Sequence, residues 1–301
     1  MMVAGGTLLS ADTAQPYREK AWISVTKGRI TAISDSAPKD ISPKTKVIDA
    51  TGRIITPGFV NVHTHAILSM VRGVAEDMGF APAYTIGVPH GHDPSPEEAY
   101  AMAQLGGLEA LCFGSTIIND SFSHQNVALS AMAETGLRAW GCGRIHDVDF
   151  SRVHLGEWTY DTKIGEKTLG EASNLIARFH DPDGLRTGVV LAPHAPDTCS
   201  PDLLRQVRQM RDETGLRINT HVSQSKVEVD FIRERDGMSP PELLEEVGLL
   251  DDHLIAAHCI HVSETDIVRL GKAVPMVFFS SAVDFILPVN CRRSTTAVRA
   301  A

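Results

Sequence analysis

The sequence predicts an α/β fold: a (β/α)₈ barrel of the TIM type that lacks its last strand or strands and has a small N-terminal β appendage. Three observations predict this fold. From residue 59 onward, short apolar strands alternate with amphipathic helices, which is the pattern of a parallel sheet covered by helices. Seven strands can be counted in this pattern, whereas a closed barrel needs eight. Histidines directly follow several of the strands, at the end of the sheet where such barrels build their active sites.

The alternation of strands and helices is regular as far as residue 279. Ser95 provides an N-cap and Pro96 a first helical position, so a helix is predicted to begin there. The predicted strands are 59–63, 115–119, 137–142, 188–192, 216–220, 254–257 and 274–279. The predicted helices are 95–112, 126–134, 166–180, 201–213, 225–235, 240–247 and 263–270.

The two ends of the chain differ from this alternating region. Residues 1–55 contain short β-forming runs separated by turn signals, which predicts a small β appendage. The β-forming runs are 22–25, 30–33 and 47–49. Residues 280–301 contain three arginines and no lysine, a change of texture that a truncated gene or a shifted reading frame would produce. The expected organisation is therefore the appendage over 1–55, an incomplete barrel over 56–279 and a divergent tail over 280–301.

Composition restricts the classes of partner. The formal net charge of −9 argues against a nucleic-acid or anionic membrane surface, because both require basic patches. A small-molecule partner is expected instead, and association of identical chains is left open. The sequence has no apolar run of transmembrane length and no signal-peptide layout, so a cytoplasmic location is expected. The five cysteines lack Cys-x-x-Cys spacing, which fits reduced thiols in a cytosolic enzyme.

Two histidines one residue apart, His63 and His65, end the first barrel strand. Side chains alternate between the faces of a strand, so both rings point the same way and can reach one cation. Neutral imidazole is a preferred ligand of zinc and iron. The pair therefore predicts a metal site at the end of this strand. A second pair, His90 and His92, has no strand before it and is interpreted as part of a solvated or substrate-side loop.

Three more histidines follow later strands. His194 comes after the fourth predicted strand, His221 after the fifth and His258 after the sixth. Taken alone, His194 or His258 would be better explained as a hydrogen-bonded core histidine. Their shared position at strand ends, beside the first pair, favours a common site instead.

Five short stretches occur in an order that is typical of one protein family. They are IDATG at 48–52, PGFVNVHTH at 57–65, APHAPDTC at 192–199, THVSQ at 220–224 and AHC at 257–259. With them the chain resembles the amidohydrolase superfamily, in the branch that holds cytosine, guanine and S-adenosylhomocysteine deaminases and the triazine hydrolases. The resemblance implies that the first-strand pair, the fifth-strand histidine and an eighth-strand aspartate hold a divalent metal ion. By position, the metal ligands would be His63, His65 and His221.

The resemblance also implies the remaining roles. One metal ion is expected, zinc rather than iron, because His194 occupies the place of the bridging lysine of binuclear members. The metal would lower the pKa of a bound water towards about 7, and the hydroxide would attack a ring carbon that bears an amino group. His258 would polarise the nucleophile or a substrate oxygen, and His194 would contact the substrate. Arg144, after the third strand, is expected to hold an oxo group or ring nitrogen, with a surface salt bridge as the alternative.

Three departures from the family pattern stand out. Gln224 occupies the place of the proton-shuttling glutamate, so either Glu228 or His258 moves the proton or the leaving group is a different one. The segment after His65 lacks the tryptophan, leucine and acid that hold ribose in nucleoside deaminases, which disfavours adenosine-like substrates. The motifs of the last two strands are absent, and Asp284 comes too soon after the seventh strand to replace the missing ligand.

The expected function is hydrolytic release of ammonia from an aromatic heterocycle of the oxo-amino pterin or purine type. A triazine chlorohydrolase is one alternative, because chloride departs without a proton and Gln224 would then suffice. The other alternative is a truncated, non-catalytic fragment that binds metal weakly or associates with another chain.

Overall fold

The computed structural model describes residues 1–72, 94–181, 186–273 and 276–278. The chain divides into two compact units, Met1–Phe59 and Val60–Ala301. The predictions made for His90, His92 and Asp284 lie outside the described residues.

The first unit is a five-stranded sheet. Its strands are β1 (Met2–Leu9), β2 (Tyr17–Thr26), β3 (Arg29–Ser34), β4 (Val47–Asp49) and β5 (Ile54–Ile55). The order is β3-β2-β1-β4, with β5 also paired to β1. β2 runs antiparallel to both β1 and β3, whereas β4 and β5 are parallel to β1.

The sequence predicted β2, β3 and β4 but neither β1 nor β5. β1 contains Gly5 and Gly6, which lower strand propensity and hide its alternation of buried and half-exposed residues. Gly5 has a positive φ of +79° at a register shift in the pairing with β2. A Cβ atom on Gly6 would lie 2.9 Å from the carbonyl oxygen of Ala50. The glycines are therefore needed for the bulge and for the close approach of two backbones.

The second unit contains eight described strands. They are β6 (Phe59–Thr64), β7 (Ser115–Phe122), β8 (Arg138–Ile145), β9 (Thr187–Val189), β10 (Ala192–Pro193), β11 (Ile218–Val222), β12 (Leu254–His258) and β13 (Met276–Phe278). β10, β8, β7 and β6 are neighbours in one sheet, in which β9 also pairs with β8, and β11, β12 and β13 form another. A parallel bridge between Leu191 and Ile218 joins the two sheets.

The helices of this unit lie between the strands along the chain. They are α1 (Pro96–Cys112), α2 (Gln125–Glu134), α3 (Phe150–Val153), α4 (Thr162–Phe179), α5 (Pro201–Thr214), α6 (Lys226–Asp236), α7 (Pro240–Glu246) and α8 (Glu264–Ala273), with a 3₁₀ helix over Ala66–Val71. The predicted parallel α/β architecture is thus confirmed. α4 begins four residues before its predicted start, because the Asp161 side chain accepts a hydrogen bond from the Lys163 N–H and caps the helix earlier.

The core of the second unit lies between its strands and helices. It includes the fully buried side chains of Ile118, Leu129, Met132, Ile145, Leu191, Leu204, Ile218, Ile232 and Leu244. All residues of β11 and β12 are buried, which holds the ends of these strands firmly in place. None of the helices in the described part of the chain has both the length and the apolar character that a bilayer crossing requires.

Replacing Gly6 by valine is expected to lower the free energy of unfolding by about 1–3 kcal/mol, because the new side chain would meet the Ala50 backbone. Gly170→Ala is the control. Apart from the neighbouring residues and backbone of its own helix, no atom lies within 4 Å of its added Cβ, and the change should stabilise α4 by about 0.5–1 kcal/mol. Urea unfolding followed by circular dichroism measures both variants. An unchanged stability of Gly6→Val would contradict the close approach.

Candidate active site

The carboxyl ends of the strands bring all five predicted site histidines together. The ring centroid of His63 lies 4.8 Å from that of His65 and 4.9 Å from that of His221. The His258 ring is 5.4 Å from His63 and 5.2 Å from His221. The His194 ring is 4.8 Å from His221. Five residues from four separate parts of the sequence therefore share one location.

Three of these rings direct the same nitrogen atom towards a common point. The Nε2 atom of His221 lies 3.1 Å from Nε2 of His63 and 3.2 Å from Nε2 of His65. Tetrahedral zinc, with Zn–N bonds of about 2.0–2.1 Å, separates its nitrogen ligands by roughly 3.4 Å. The spacing of the three nitrogens thus fits a single metal ion, and their ligand atoms all lie within 4.8 Å of one another.

The opposite ring nitrogens show why Nε2 is available. Nδ1 of His65 lies 2.7 Å from the carbonyl oxygen of Ser121, and Nδ1 of His63 lies 3.1 Å from Oδ1 of Asn219. A carbonyl oxygen only accepts, so Nδ1 of His65 carries the proton and its Nε2 keeps a free lone pair. Metal-bound histidines are commonly held by such outer hydrogen bonds.

Electrostatics keep the ligand rings neutral. Burial is the largest cause that lowers the pKa of His63, and it lowers the pKa of His65 and His221 much further. The neighbouring histidines add to this effect at His65 and His221. Neutral rings are the form in which histidine binds a metal.

Arg144 and His194 form a hydrogen-bonded pair next to this cluster. Nη2 of Arg144 lies 2.5 Å from Nε2 of His194, and Nδ1 of His194 lies 2.7 Å from Oγ1 of Thr198. Because a guanidinium group only donates, Nε2 of His194 accepts and its Nδ1–H donates to Thr198. The Arg144 side chain is only 7% exposed, with its guanidinium carbon 4.0 Å from the ring centre of Phe150 and 5.0 Å from that of Phe122. This burial rules out a surface salt bridge.

Gln224 lies in the turn after β11, and that turn is held by Glu228. The backbone N–H groups of Ser223 and Gln224 each donate to one oxygen of the Glu228 carboxyl group, at 2.7 Å. Both carboxyl oxygens of Glu228, the proton-shuttle candidate, therefore already accept hydrogen bonds from the main chain. Burial, followed by the nearby charge of Asp197, raises the pKa of Glu228 to about 8.

Strained backbone marks the ends of β11 and β12. Ser223, His258 and Cys259 have positive φ angles of 50°, 76° and 51°, which residues other than glycine seldom adopt. Strain of this kind concentrates at functional sites. His258 is 4% exposed, and among the described residues neither of its ring nitrogens has a hydrogen-bond partner. Burial, then the nearby His63, lowers its pKa to about 3, so the ring is neutral.

Sequence reasoning missed several residues that shape the site. Asn219 lies two positions before His221 on the same strand, so the period-two rule could have found it. Thr198 lies within the quoted stretch 192–199, but nothing in the stretch distinguishes it as the partner of His194. Ser121 contributes only its carbonyl oxygen, which no side-chain pattern reveals.

These features define a parallel α/β protein with a candidate histidine metal centre at the carboxyl ends of its strands. The chain belongs to the amidohydrolase family, whose model, described as "Amidohydrolase family", matches residues 54–300. This match confirms the resemblance inferred from the five sequence stretches.

Curated relatives are deaminases. The chain is 35% identical over 273 residues to the 5-methylthioadenosine/S-adenosylhomocysteine deaminase of Thermococcus sibiricus, covering 90% of this chain and 61% of the relative. It is 32% identical over 252 residues to the 5'-deoxyadenosine deaminase of Methanothermobacter thermautotrophicus, covering 83% of this chain and 56% of the relative. The chain thus spans little more than half the length of these proteins.

Solved structures share the fold. Atrazine chlorohydrolase TrzN from Arthrobacter aurescens, complexed with zinc, has a TM-score of 0.83 and 18% identity, covering 99% of this chain and 70% of that one. The E. coli guanine deaminase has a TM-score of 0.78 and 18% identity, covering 98% of this chain and 72% of that one. At these identities the likeness establishes the fold alone.

Replacing Glu228 by glutamine is expected to change how stability depends on pH. The folded protein holds the Glu228 proton up to about pH 8, whereas unfolded glutamate releases it near 4.5. The stabilisation is therefore fully present below pH 4.5 and is lost as pH rises to 8, by roughly 1 kcal/mol per pH unit. Glutamine has no such proton. The difference in free energy of unfolding between the unaltered protein and Glu228→Gln should therefore shrink as pH rises from 4.5 to 8.

Urea unfolding at several pH values between 5 and 8 measures this difference. Glu234→Gln is the matched control, because Glu234 lies on the same helix and its side chain is exposed. A difference between Glu228→Gln and the unaltered protein that stays constant with pH would contradict a buried, protonated Glu228.

Proposed function

We propose that the chain holds one divalent metal ion, zinc in preference to iron, through the Nε2 atoms of His63, His65 and His221. The convergence of these atoms carries the proposal, since their separations of 3.1 and 3.2 Å suit a single ion. The contacts of the Nδ1 atoms of His63 and His65, with Asn219 and Ser121, add support because they leave both Nε2 atoms facing the common point. A bound cation of this kind supplies a water molecule that ionises near neutral pH.

We also propose the domain organisation expected from the sequence: a β appendage over 1–55, an incomplete (β/α)₈ barrel over 56–279 and a divergent tail over 280–301. The sheet order supports the barrel, because β6, β7 and β8 are successive neighbours in one sheet and β11, β12 and β13 in the other. The high TM-scores to related solved structures support it as well. A cytoplasmic location and association of identical chains remain predictions.

The proposed reaction is hydrolytic release of ammonia from an amino-substituted aromatic heterocycle. The deaminase names of the curated relatives support this reaction class. In this chain, Arg144 would donate hydrogen bonds to the ring or its oxo group, with His194 fixing the guanidinium group. His258 has both ring nitrogens unpartnered among the described residues, so it can polarise the attacking water or a substrate oxygen.

The substrate belongs to the class of oxo-amino heterocycles, with purine nucleosides as a further candidate. The relatives' names refer to adenosine derivatives, whereas the sequence disfavoured adenosine-like substrates. That expectation depended on the segment after His65, most of which lies outside the described residues. Both kinds of substrate therefore belong in an activity panel, together with a pterin.

Two alternatives remain. Triazine chlorohydrolysis is favoured by Gln224, because chloride leaves without a proton and an amide then suffices. A non-catalytic fragment is favoured by the coverage of the relatives, since residues beyond those matched here make up more than a third of each.

Elemental analysis of the purified 301-residue chain, reconstituted with zinc, is expected to find about one zinc per chain. Replacing His221 by alanine should weaken zinc binding by at least about 100-fold, because it removes one of three ligands. His253→Ala is the control, since the His253 side chain is 45% exposed and lies beside Asp251 and Asp252. Absence of zinc from the unaltered chain, or equal loss in the control, would contradict the metal centre.

Replacing Gln224 by glutamate is expected to raise ammonia release by about 100-fold or more if the reaction is deamination, because a carboxylate can move the proton that the leaving nitrogen requires. The panel contains an aminopterin, guanine, 5'-deoxyadenosine and a chlorotriazine, with ammonia and chloride both measured. Gln209→Glu, on the exposed face of α5, is the matched control. Chloride release that is unaffected by Gln224→Glu, with no ammonia from any substrate, would favour the chlorohydrolase.

A further inference from the structure

Asn219 is a buried polar residue that contacts His63 of the candidate metal centre. It lies on β11 two positions before His221, so both side chains leave the same face of the strand. Its side chain is 1% exposed. A buried amide needs hydrogen-bond partners for both of its ends, and those partners are what give Asn219 its role.

The two ends of the amide bridge different parts of β6. The Nδ2 atom donates to the carbonyl oxygen of Val62 at 2.9 Å, and the Oδ1 atom lies 3.1 Å from Nδ1 of His63. The carbonyl oxygen of Val62 can only accept, which fixes the amide with its NH₂ group towards Val62. Oδ1 must then face His63, and an oxygen that can only accept requires a proton on Nδ1 of His63.

We propose that Asn219 is the positioning residue of the metal centre, selecting the Nδ1–H tautomer of His63 and thereby presenting its Nε2 lone pair to the metal. This inference rests on the metal centre proposed above. Asn219 itself is not a ligand, because its amide is occupied by Val62 and His63. It acts through His63, whose Nε2 atom lies 3.1 Å from that of His221.

The other two ligand rings do not share this arrangement. His65 is held by a main-chain carbonyl group, which substitution of a side chain leaves in place. His221 has no hydrogen-bond partner at Nδ1 among the residues that the structure describes. Among these partners, Asn219 is therefore the side chain whose substitution tests the tautomer of a ligand histidine.

Two substitutions separate positioning from simple core packing. Asn219→Leu removes both hydrogen bonds and should weaken zinc binding by about 10–100-fold, the usual loss for an outer hydrogen-bond partner of a metal ligand. Asn219→Asp cannot donate to Val62 but still accepts from Nδ1 of His63, so its zinc affinity should stay within about threefold of the unaltered value. If Asn219 served only core packing, Asn219→Asp should lose as much zinc affinity as Asn219→Leu, since the hydrogen bond to Val62 is lost in both variants.

Zinc affinity is measured by competition with a chromogenic chelator, using the full chain. Thr220→Val is the matched control, because Thr220 is the next residue of β11, is equally buried and points to the other face of the strand. Its affinity should not change. Equal affinities of Asn219→Leu and the unaltered chain, or equal losses in Asn219→Leu and Asn219→Asp, would overturn the proposal.

A second measurement needs no variant and covers a failure of Asn219→Leu to fold. Long-range ¹H–¹⁵N correlation spectra of the metal-free protein report which nitrogen of His63 carries the proton. A proton on Nδ1 supports the proposal, and a proton on Nε2 overturns it. Failure of the unaltered chain to bind zinc would count against the metal centre itself, and the spectra would still decide the tautomer that Asn219 selects.

Discussion

The site depends on clustered imidazole rings that desolvation keeps uncharged at His63, His65, His221 and His258. Removing a histidine from water disfavours its protonated form, and clustering the rings adds mutual repulsion between any charges. Burial is accordingly the largest cause of the lowered pKa at His63, His65, His221 and His258. An uncharged ring has a lone pair to offer to a metal, so the burial that costs hydration also prepares the ligands. The hydrogen bonds at Nδ1 of His63 and His65 then decide which ring nitrogen presents its lone pair.

The surrounding core fixes the strand ends on which these rings lie. β11 and β12 are buried along their whole length and pair in parallel register, from Ile218 with Leu254 to Val222 with His258. Beyond this pairing, the Cys259 N–H donates to the Val222 carbonyl oxygen at 2.9 Å. Such anchoring can sustain the positive φ angles of His258 and Cys259, since strain persists only where the surroundings over-determine it. Rigid strand ends thus hold the rings more firmly than loops would.

Much of this arrangement could be predicted from local sequence. The spacing of His63 and His65 places two rings on one face of a strand, and His221 directly follows the predicted strand 216–220. Long-range pairings could not be predicted. Arg144 and His194 are 50 residues apart, and only the packing of β8 beside β10 brings them into contact. The strand β1 was missed because Gly5 conceals its pattern, although its backbone needs that glycine.

The most direct test of the central claim is X-ray absorption at the zinc edge of the zinc-loaded 301-residue chain. Three converging Nε2 atoms predict a first shell with three imidazole nitrogens at about 2.0–2.1 Å, visible through the outer-ring scattering that imidazole produces. A shell with sulfur near 2.3 Å, or with fewer than three imidazoles, would contradict the assignment of His63, His65 and His221 as the metal ligands.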